Sequence, residues 1–484
     1  MESKSFLKHF AVIGSGTLFN LLLGVLTTPL ITRIVDPVEY GQLSIFTMYS
    51  GIAVMVLCVG LDQALVRYFY EKKTEEYKRK LLLKCIVLPV LLSLIASVAF
   101  VLLTQFKIIQ FEFDMLCTVL LCIYTVIQII YRFSLLLVRL AYKSKLYSVL
   151  NILHKAVYVV AALGFLILWN EDDLLSLILA TILASLVCMI VSILAQRRLW
   201  DFAKCNHDEQ CVSIRELLAY GYPYIFTMGI TTIFQAADKI ALNTYCSYTE
   251  VGIYASTMTL INIFGIIQTT FNSLWAPMAV EHYSQDKEDK EFYKLGNQAI
   301  TVVMFFIGIS LILFKDVFAV LLGEKYREAA YILPFLIFNP IMYTISETTV
   351  MGLVFKKKSK MQVIVALGAC VFNIIGNTIL VPRFGCQGAA ISTGLSYILF
   401  FTLRTLLSNK FFYVDYSLKK FYLLTSIVAV YALYNTFIKF NIGSIVGFII
   451  SLAFLIGLYN KTIIWGINYI VNLLKEMRNK KLKI

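Results

Sequence analysis

The sequence contains few charged residues and few residues that interrupt helices. Only 15% of its 484 residues are charged, 8 are prolines and 4 are histidines, whereas 59% are hydrophobic. A water-soluble chain carries about 25% charged residues, so this one cannot cover a globule with polar surface. Its mean hydropathy of +0.78 indicates that lipid is its solvent.

Motifs of common enzyme sites are also absent from the sequence. It contains no P-loop, no G-x-S-x-G element and no H-E-x-x-H helix, so ATP hydrolysis and hydrolase chemistry have no residues to support them. Its ten cysteines are scattered and predict no disulfide framework. We therefore expect neither ATP hydrolysis nor hydrolase chemistry, and no bound metal or cofactor.

Runs of about 20 apolar residues, separated by charges or turn residues, predict membrane-spanning helices. Fourteen such runs cover the chain and leave no interval long enough for a soluble domain. They are 10–35, 42–69, 81–103, 115–138, 148–169, 174–196, 216–244, 251–278, 297–321, 329–353, 362–381, 388–407, 420–438 and 443–464. The expected fold is an all-α integral membrane protein.

Lysine and arginine are distributed unevenly between the intervals that separate these spans. Of the 43 in the sequence, only seven lie in the intervals on one side, namely Arg33, Lys107, Lys315, Lys325, Arg327, Arg383 and Lys439. Intervals rich in Lys and Arg stay in the cytoplasm, so we expect a bacterial inner-membrane protein with both termini cytoplasmic. The net charge of +14 then reflects topology rather than a nucleic acid partner, and the basic inner loops suit anionic lipid head groups.

Two outer hairpins, residues 32–49 and 238–260, resemble each other. Each has a cation near a helix end, a short turn and an apolar span, and E-Y-G at 39–41 matches E-V-G at 250–252. The copies are six helices apart and therefore share one orientation, as expected for halves related by an axis along the membrane normal.

The repeat predicts two six-helix bundles followed by two further helices. The N-terminal bundle, helices 1–6, is expected at 1–213, and the C-terminal bundle, helices 7–12, at 214–410. Residues 411–484 then contain helices 13 and 14 and a basic cytoplasmic tail.

Several predicted spans contain charged side chains, each of which costs about 2.5–3.5 kcal/mol at the centre of a membrane helix. Four times a cation follows a polar amide by four residues, which puts both on one helix face. The pairs are Gln63 and Arg67, Gln128 and Arg132, Asn151 and Lys155, and Gln235 and Lys239, the last beside Asp238. This pattern predicts the wall of a hydrated, positively charged cavity that binds an anionic substrate.

Structural roles for the same residues stay open. Arg67, Arg132 and Lys155 can reach the cytoplasmic surface by snorkelling. Asp238 and Lys239 can form a structural ion pair.

Three further ionisable groups, Asp62, His154 and Glu347, are candidates for binding a coupling H⁺ or Na⁺. Such groups inside spans often belong to ion pathways. A packing role stays open for His154, and a position at the membrane interface stays open for Glu347.

Six segments along the chain resemble one known family. They are 28–46, 60–71, 220–226, 237–256, 272–277 and 381–398. In order and spacing they resemble the Wzx-type oligosaccharide flippases, the polysaccharide transport branch of the multidrug/oligosaccharidyl-lipid/polysaccharide (MOP) exporter superfamily, to which the MATE-like exporters also belong.

The resemblance implies a protein without enzymatic activity, in which a MATE-like, V-shaped pair of bundles surrounds a central cavity that opens alternately to the two sides. The expected cargo is an undecaprenyl-pyrophosphate-linked repeat unit of an O-antigen, capsule or similar glycan. Positions matching the family's cationic cavity residues are Arg67, Arg132, Lys155 and the Asp238–Lys239 pair. Membrane lipids, and the polymerase and glycosyltransferases of the same pathway, are the expected partners.

Two other functions are weighed against this one. A multidrug or small-cation exporter of the same superfamily would share the fold, although such relatives usually have twelve spans and acidic cation sites. A polymerase, ligase or glycosyltransferase normally has a large outer loop for its catalytic residues, and the predicted outer loops are too short. The flippase is therefore the preferred hypothesis.

Overall fold

The residues that the computed structural model describes are 24, 27–168, 172–204 and 211–481, of which 204 and 469–481 are described by their backbone alone. Within these residues, eleven helices are long and apolar enough to cross a membrane. Most of the predicted span 10–35 lies outside them. The prediction of an all-α membrane protein is confirmed.

The first compact unit ends at Ala255. Its main helices are α1 (Pro37–Leu57), α2 (Leu61–Tyr68), α3 (Glu75–Gln105), α4 (Met115–Leu140), α5 (Ser144–Leu168), α6 (Asp173–Ala195), α7 (Ile214–Tyr245) and the first part of α8 (Tyr248–Ile261). An aspartate is the N-cap residue of two of these helices, α4 and α6. Asp114 accepts a hydrogen bond from the Cys117 N–H (3.0 Å) and Asp172 from the Leu175 N–H (2.9 Å), which satisfies donors that a helix end leaves unpaired.

The core of the first unit lies where α2, α3 and α4 meet. Leu61 and Leu65 of α2, Leu81 of α3, and Phe133 and Leu137 of α4 are fully buried there. Lipid tails are as apolar as these side chains, so close packing holds the helices together in a membrane.

The second compact unit begins at Ser256. Its further helices are α9 (Gly265–Gln285), α10 (Glu291–Leu313), α11 (Lys315–Leu321), α12 (Ala329–Leu336), α13 (Phe338–Thr349), α14 (Met351–Phe355), α15 (Ser359–Asn409), α16 (Leu418–Phe437) and α17 (Ile442–Lys481). An aromatic cluster joins α9 to α10. The Trp275 ring stacks on Phe292, with centroids 5.3 Å apart and planes at 7°.

Helix α15 accounts for two predicted spans. Its 51 residues would extend about 75 Å, more than twice the hydrocarbon thickness, but its backbone bends at Gly385 (φ 54°, ψ −135°). Ser392 Oγ donates to the Asn373 carbonyl (3.0 Å) and Asn373 Nδ2 to Thr393 Oγ1 (3.2 Å), so the two arms pack side by side. With α16 at the predicted span 420–438, the structure is roughly consistent with fourteen spans.

The predicted span 42–69 is interrupted in the structure. Helix α1 ends at Leu57, and Val59 (φ 51°) and Gly60 (φ 71°) adopt left-handed conformations before α2 begins. A Cβ atom on Gly60 would lie 2.1 Å from the carbonyl oxygen of Gly221 in α7. The prediction of one continuous helix is therefore wrong, because the backbones of two segments approach here more closely than any side chain allows.

The two repeated hairpins contact each other in the first unit. A Cβ atom on Gly41 would lie 1.9 Å from the Tyr248 carbonyl oxygen, and one on Gly252 would lie 2.0 Å from the Pro37 carbonyl oxygen. The same sequence offset separates Pro37 from Tyr248 and Gly41 from Gly252. Reciprocity of this kind is what a pseudo-two-fold axis between two copies produces.

The compact units divide the chain at a different place from the predicted bundles. The division follows Ala255, whereas the predicted bundles divide after residue 213. Helix α7 packs on α1 and α2 within the first unit, which explains the later division. The bundle boundaries at 213 and 410 stay a prediction.

Candidate functional site

An ion pair between a buried carboxylate and a partly exposed guanidinium joins α2 to α4 in the first unit. Arg132 donates to Asp62 Oδ2 through Nη2 (2.6 Å) and Nε (2.9 Å), and Gln63 Nε2 donates to the same oxygen (3.1 Å). The Asp62 side chain is 3% exposed and that of Arg132 is 38% exposed. The structure therefore brings together three predicted site residues, Asp62, Gln63 and Arg132. The Asp62 carboxylate contacts one side of the Arg132 guanidinium.

The break between α1 and α2 positions this pair. Asp62 lies in the first turn of α2, two residues after Gly60, and it lines a small pocket with Gly60, Arg132, Tyr224 and Met228. The close approach of α7 at Gly60 places this turn beside α4. A continuous helix would direct the carboxylate elsewhere, because side-chain direction follows the helix register.

A second polar group continues from the first along α4. Gln128, one turn before Arg132, donates to Ser185 Oγ of α6 (2.9 Å), and His154 Nε2 of α5 lies 3.2 Å from the same oxygen. The His154 ring stacks on Tyr131 at 5.9 Å and 8°. The Ser185 hydroxyl therefore links Gln128 to His154. Sequence analysis could not identify Ser185, because no spacing distinguishes it from the other serines of its span.

Lys155 follows His154 on α5. It lies eleven residues after Ser144, which is about 16 Å along the helix. A Cβ atom on Gly24 would lie 2.5 Å from Lys155 Nζ, so the ammonium group lies against the backbone at Gly24. The lysine therefore carries its charge well inside the predicted span.

The predicted group on α7 divides between two environments. Asp238 is 5% exposed and accepts a hydrogen bond from the Tyr254 hydroxyl of α8. Lys239 is partly buried, and Gln235, one turn earlier, is exposed. Asp238 therefore ties α7 to α8, and the predicted substrate role of all three stays a prediction.

Arg67 lies apart from the Asp62–Arg132 pair. Its side chain is exposed, and its guanidinium carbon is 5.7 Å from the centroid of the Tyr68 ring. The Gln63 amide donates to Asp62, whereas the Arg67 guanidinium lies near the Tyr68 ring. The two members of this predicted pair therefore contact different residues.

Glu347 pairs with a cation that the sequence pattern does not single out. Arg404 of α15 donates through Nη1 to Glu347 Oε1 (2.9 Å) and to Ser346 Oγ (2.6 Å), and both side chains of the ion pair are 8% exposed. The guanidinium also lies 5.6 Å from the Tyr343 ring and 5.5 Å from the Phe400 ring. Arg404 lies inside the predicted span 388–407, and a charged residue at such a position could have been predicted as a site residue from the sequence.

One acidic residue accepts hydrogen bonds from residues of both repeated hairpins. Glu112, in the connection from α3 to α4, accepts hydrogen bonds from the Tyr49 hydroxyl of α1 (2.6 Å), Asn243 Nδ2 of α7 (2.6 Å) and the Tyr248 hydroxyl of α8 (2.8 Å). Gly41 and Gly252 lie on two of the same helices. We call these four residues, Glu112 and its three donors, the Glu112 clasp.

We expect Glu112→Ala to destabilise the first unit by about 1 kcal/mol for each hydrogen bond lost. Alanine has no side-chain acceptor, so none of the three donors keeps its partner. The melting temperature of the purified chain measures the effect. Tyr49→Phe removes one of the same hydrogen bonds, so the two effects should be less than additive, and full additivity would contradict the clasp.

The site combines features that suit an anionic, oxygen-rich ligand. A guanidinium carries five N–H donors, more than the single Asp62 oxygen can accept. Arg132 lies eight residues before the end of α4, about 12 Å along the helix, yet its side chain remains partly exposed. A partly exposed cation this far from a helix end is typical of a hydrated cavity.

Comparisons with known proteins agree with this architecture. A family model described as polysaccharide biosynthesis protein matches residues 6–282. An uncharacterized membrane protein of Methanocaldococcus jannaschii is 22% identical over 465 residues, which cover 89% of this chain and 90% of that protein.

Solved structures show a similar fold. The lipid II flippase MurJ, in an inward closed conformation, superposes with a TM-score of 0.65 at 16% identity, covering 95% of this chain and 100% of that chain. An inward-facing multidrug resistance MATE family transporter of the MOP superfamily superposes with a TM-score of 0.56 at 13% identity, covering 82% of this chain and 94% of that chain.

Proposed function

Because the chain belongs to the polysaccharide biosynthesis protein family and has a fold similar to MurJ and the MATE transporters, we propose that it is a flippase for lipid-linked oligosaccharides. Its cargo is an undecaprenyl-pyrophosphate-linked repeat unit of an O-antigen, capsule or similar glycan. Alternating access through a cationic central cavity carries this head group from the cytoplasmic to the outer leaflet. The resemblance that the six sequence segments indicate is confirmed by the family match.

The observation that carries this proposal is the intramembrane position of the partly exposed Arg132. A sugar pyrophosphate cannot cross about 30 Å of hydrocarbon unaided, because its charges would lose their hydration. Guanidinium donors match phosphate oxygens in geometry and charge, so Arg132 can replace part of that hydration. The Asp62 carboxylate fixes the guanidinium from one side.

The other predicted residues extend the polar path in this proposal. Lys155 and Lys239 add positive charge on α5 and α7, and Gln128 and Gln235 add amide donors to sugar hydroxyls. Arg67, exposed at the end of α2, meets the head group first on the cytoplasmic side. The polyprenyl tail stays in lipid throughout.

The membrane potential favours export in this mechanism. Two negative charges that leave a cytoplasm at negative potential gain about 4.6 kcal/mol per 100 mV. A coupling H⁺ or Na⁺ would bind at Asp62, His154 or Glu347, of which Asp62 and Glu347 each already face an arginine. The protein resides in the bacterial cytoplasmic membrane with both termini inside, beside the glycosyltransferases and polymerase of its pathway.

Lys155→Ala tests the proposal directly. The full chain is reconstituted in liposomes with a fluorescent polyprenyl-pyrophosphate oligosaccharide, and flipping is measured as the rate at which the label becomes accessible to an impermeant quencher. We expect the rate to fall about tenfold or more, since a charged hydrogen bond to the head group is worth about 1.5–3 kcal/mol.

The control is Lys107→Ala, which removes an exposed cation from the connection after α3 and should leave the rate unchanged. Equal rates for wild type and Lys155→Ala, with normal folding, would remove Lys155 from the cargo path. Efflux of a cationic drug by the wild-type liposomes, without flipping of the oligosaccharide, would instead support the multidrug exporter and overturn the flippase.

A further inference from the structure

A basic pocket opens at the end of the first unit opposite the Glu112 clasp. It lies between the connection from α2 to α3, the connection from α4 to α5, and the residues that follow α6, and it encloses about 560 Å³. The excess of Lys and Arg predicts that this end faces the cytoplasm. None of its described lining residues belongs to the cargo site proposed above.

The pocket is strongly cationic. Its lining includes Lys78, Lys143, Arg197 and Arg198 but, among the residues that the structure describes, only one acidic residue, Glu75. Arg198 lies 3.6 Å from Glu75, with side chains 79% and 57% exposed, and an ion pair this exposed contributes little and rearranges readily. The pocket therefore retains a net positive charge for a ligand.

A buried amide points to a ligand independently of these charges. Gln196 lines the pocket and is 9% exposed, and its Nε2 has no hydrogen-bond partner within the described part of the chain. A buried donor left unsatisfied costs about 1–3 kcal/mol. Rotation of the side chain towards the pocket would let an acceptor oxygen there satisfy it.

An apolar stripe leads from the pocket towards the middle of the membrane. Leu183, Ile190 and Leu194 of α6 are 36%, 45% and 64% exposed, and their spacing of seven and four residues puts them on one helix face. Leu194 also lines the pocket, and the rings of Tyr70 and Tyr142 stand at its rim 5.9 Å apart. Tyrosine is enriched at the level of lipid head groups.

We propose that this pocket binds the phosphate head group of an anionic membrane phospholipid. Arg197, Arg198 and the Gln196 amide contact the phosphate oxygens, and an acyl chain lies along Ile190 and Leu183 on the exposed face of α6. Basic pockets between membrane helices on the cytoplasmic side are suited to such head groups. The apolar stripe favours a phospholipid over free phosphate, because free phosphate has no acyl chain to contact the stripe.

The test measures how much phosphatidylglycerol raises the melting temperature of the full chain in nanodiscs that otherwise contain phosphatidylcholine. Arg197→Ala with Arg198→Ala should weaken the apparent affinity for phosphatidylglycerol at least about tenfold, since a charged hydrogen bond to a phosphate oxygen is worth about 1.5–3 kcal/mol. The control, Lys356→Ala with Lys357→Ala, removes two exposed cations from another loop predicted on the same side and should change it less than about twofold. Equal losses in both variants would show diffuse attraction and overturn the site.

Gln196→Met separates ligand binding from folding. Removal of an unsatisfied donor should leave the melting temperature in phosphatidylcholine unchanged or higher, while the stabilisation by phosphatidylglycerol decreases. Equal shifts in melting temperature for wild type and Gln196→Met would contradict the assigned amide contact. Stabilisation by glycerol phosphate as large as that by phosphatidylglycerol would overturn the lipid assignment in favour of a free anion.

Discussion

Gly41→Ala is expected to destabilise the protein and to stop transport, whereas Gly51→Ala in the same helix does neither. A Cβ atom on Gly41 would lie 1.9 Å from the Tyr248 carbonyl oxygen and 2.9 Å from the Gly252 nitrogen, whereas one on Gly51 meets no described atom within 4 Å. Because the atoms that Gly41 faces are backbone, α1 and α8 must separate to admit a methyl group. Overpacking of this kind costs about 1–3 kcal/mol.

The loss of transport follows from the proposed alternating access. In that cycle, the ends of the helices around the cavity approach and separate as it opens to one side or the other. The Gly41–Gly252 contact lies near the start of α1 and joins it to α8, as the Glu112 clasp also does. A variant that cannot make this contact is held open at that end and cannot complete the cycle.

The melting temperature of the purified full chain tests the predicted loss of stability, and its flipping rate in liposomes tests the predicted loss of transport. Gly41→Ala and Gly252→Ala disrupt the same contact, so their combined effect should be smaller than the sum. If Gly41→Ala melted and flipped like Gly51→Ala, the close contact would have no role in stability or transport.

Arg132→Ala is expected to destabilise the protein by about 1–3 kcal/mol, because the Asp62 carboxylate loses its cation and keeps only the Gln63 amide donor. Arg132 is 38% exposed, so water that enters the space of the lost guanidinium keeps the loss below that of a fully buried pair. Arg404→Ala in the second unit should cost more, about 3–5 kcal/mol, since both side chains of the Arg404–Glu347 pair are 8% exposed. Chemical unfolding of the purified chain measures both losses.

The double variant Asp62→Asn with Arg132→Gln separates stability from transport. It removes both charges and keeps polar groups of similar size, so stability should return close to that of the wild type. Transport should stay at least about tenfold below wild type, because the head group has lost its guanidinium. A double variant that is stable and transports normally would remove Arg132 from the cargo site.

Helical spacing puts an amide and a cation on one face, but it does not decide which partners each of them contacts. Gln128 and Arg132 lie on one uninterrupted helix, α4, and the polar groups that they form are neighbours. Gln63 and Arg67 also lie one turn apart, but α2 begins only at Leu61, after a backbone break. Gln63 and Arg132 both donate to Asp62, whereas Arg67 is exposed, so helical spacing alone could not predict which groups meet.

The partners of the buried charges were beyond sequence reasoning. Asp62 and Arg132 are 70 residues apart in sequence, and Glu347 and Arg404 are 57 apart. Asp62 and Glu347 were each predicted as a coupling-ion candidate, with no pattern to show that an arginine would lie opposite. The role of these two carboxylates in coupling stays a prediction. A coupling ion would have to bind beside the arginine that each carboxylate contacts.

By itself the sequence determined the all-helical membrane fold, the approximate number of spans and the family. These properties depend on the length of apolar runs and on short ordered segments, which are local along the chain and can be read without knowing any contact. Only the tertiary structure decided where α1 breaks, which glycines let backbones touch, and which cation neutralises which carboxylate. Those features depend on how helices distant in sequence pack together, and side-chain packing in a membrane has no local signature.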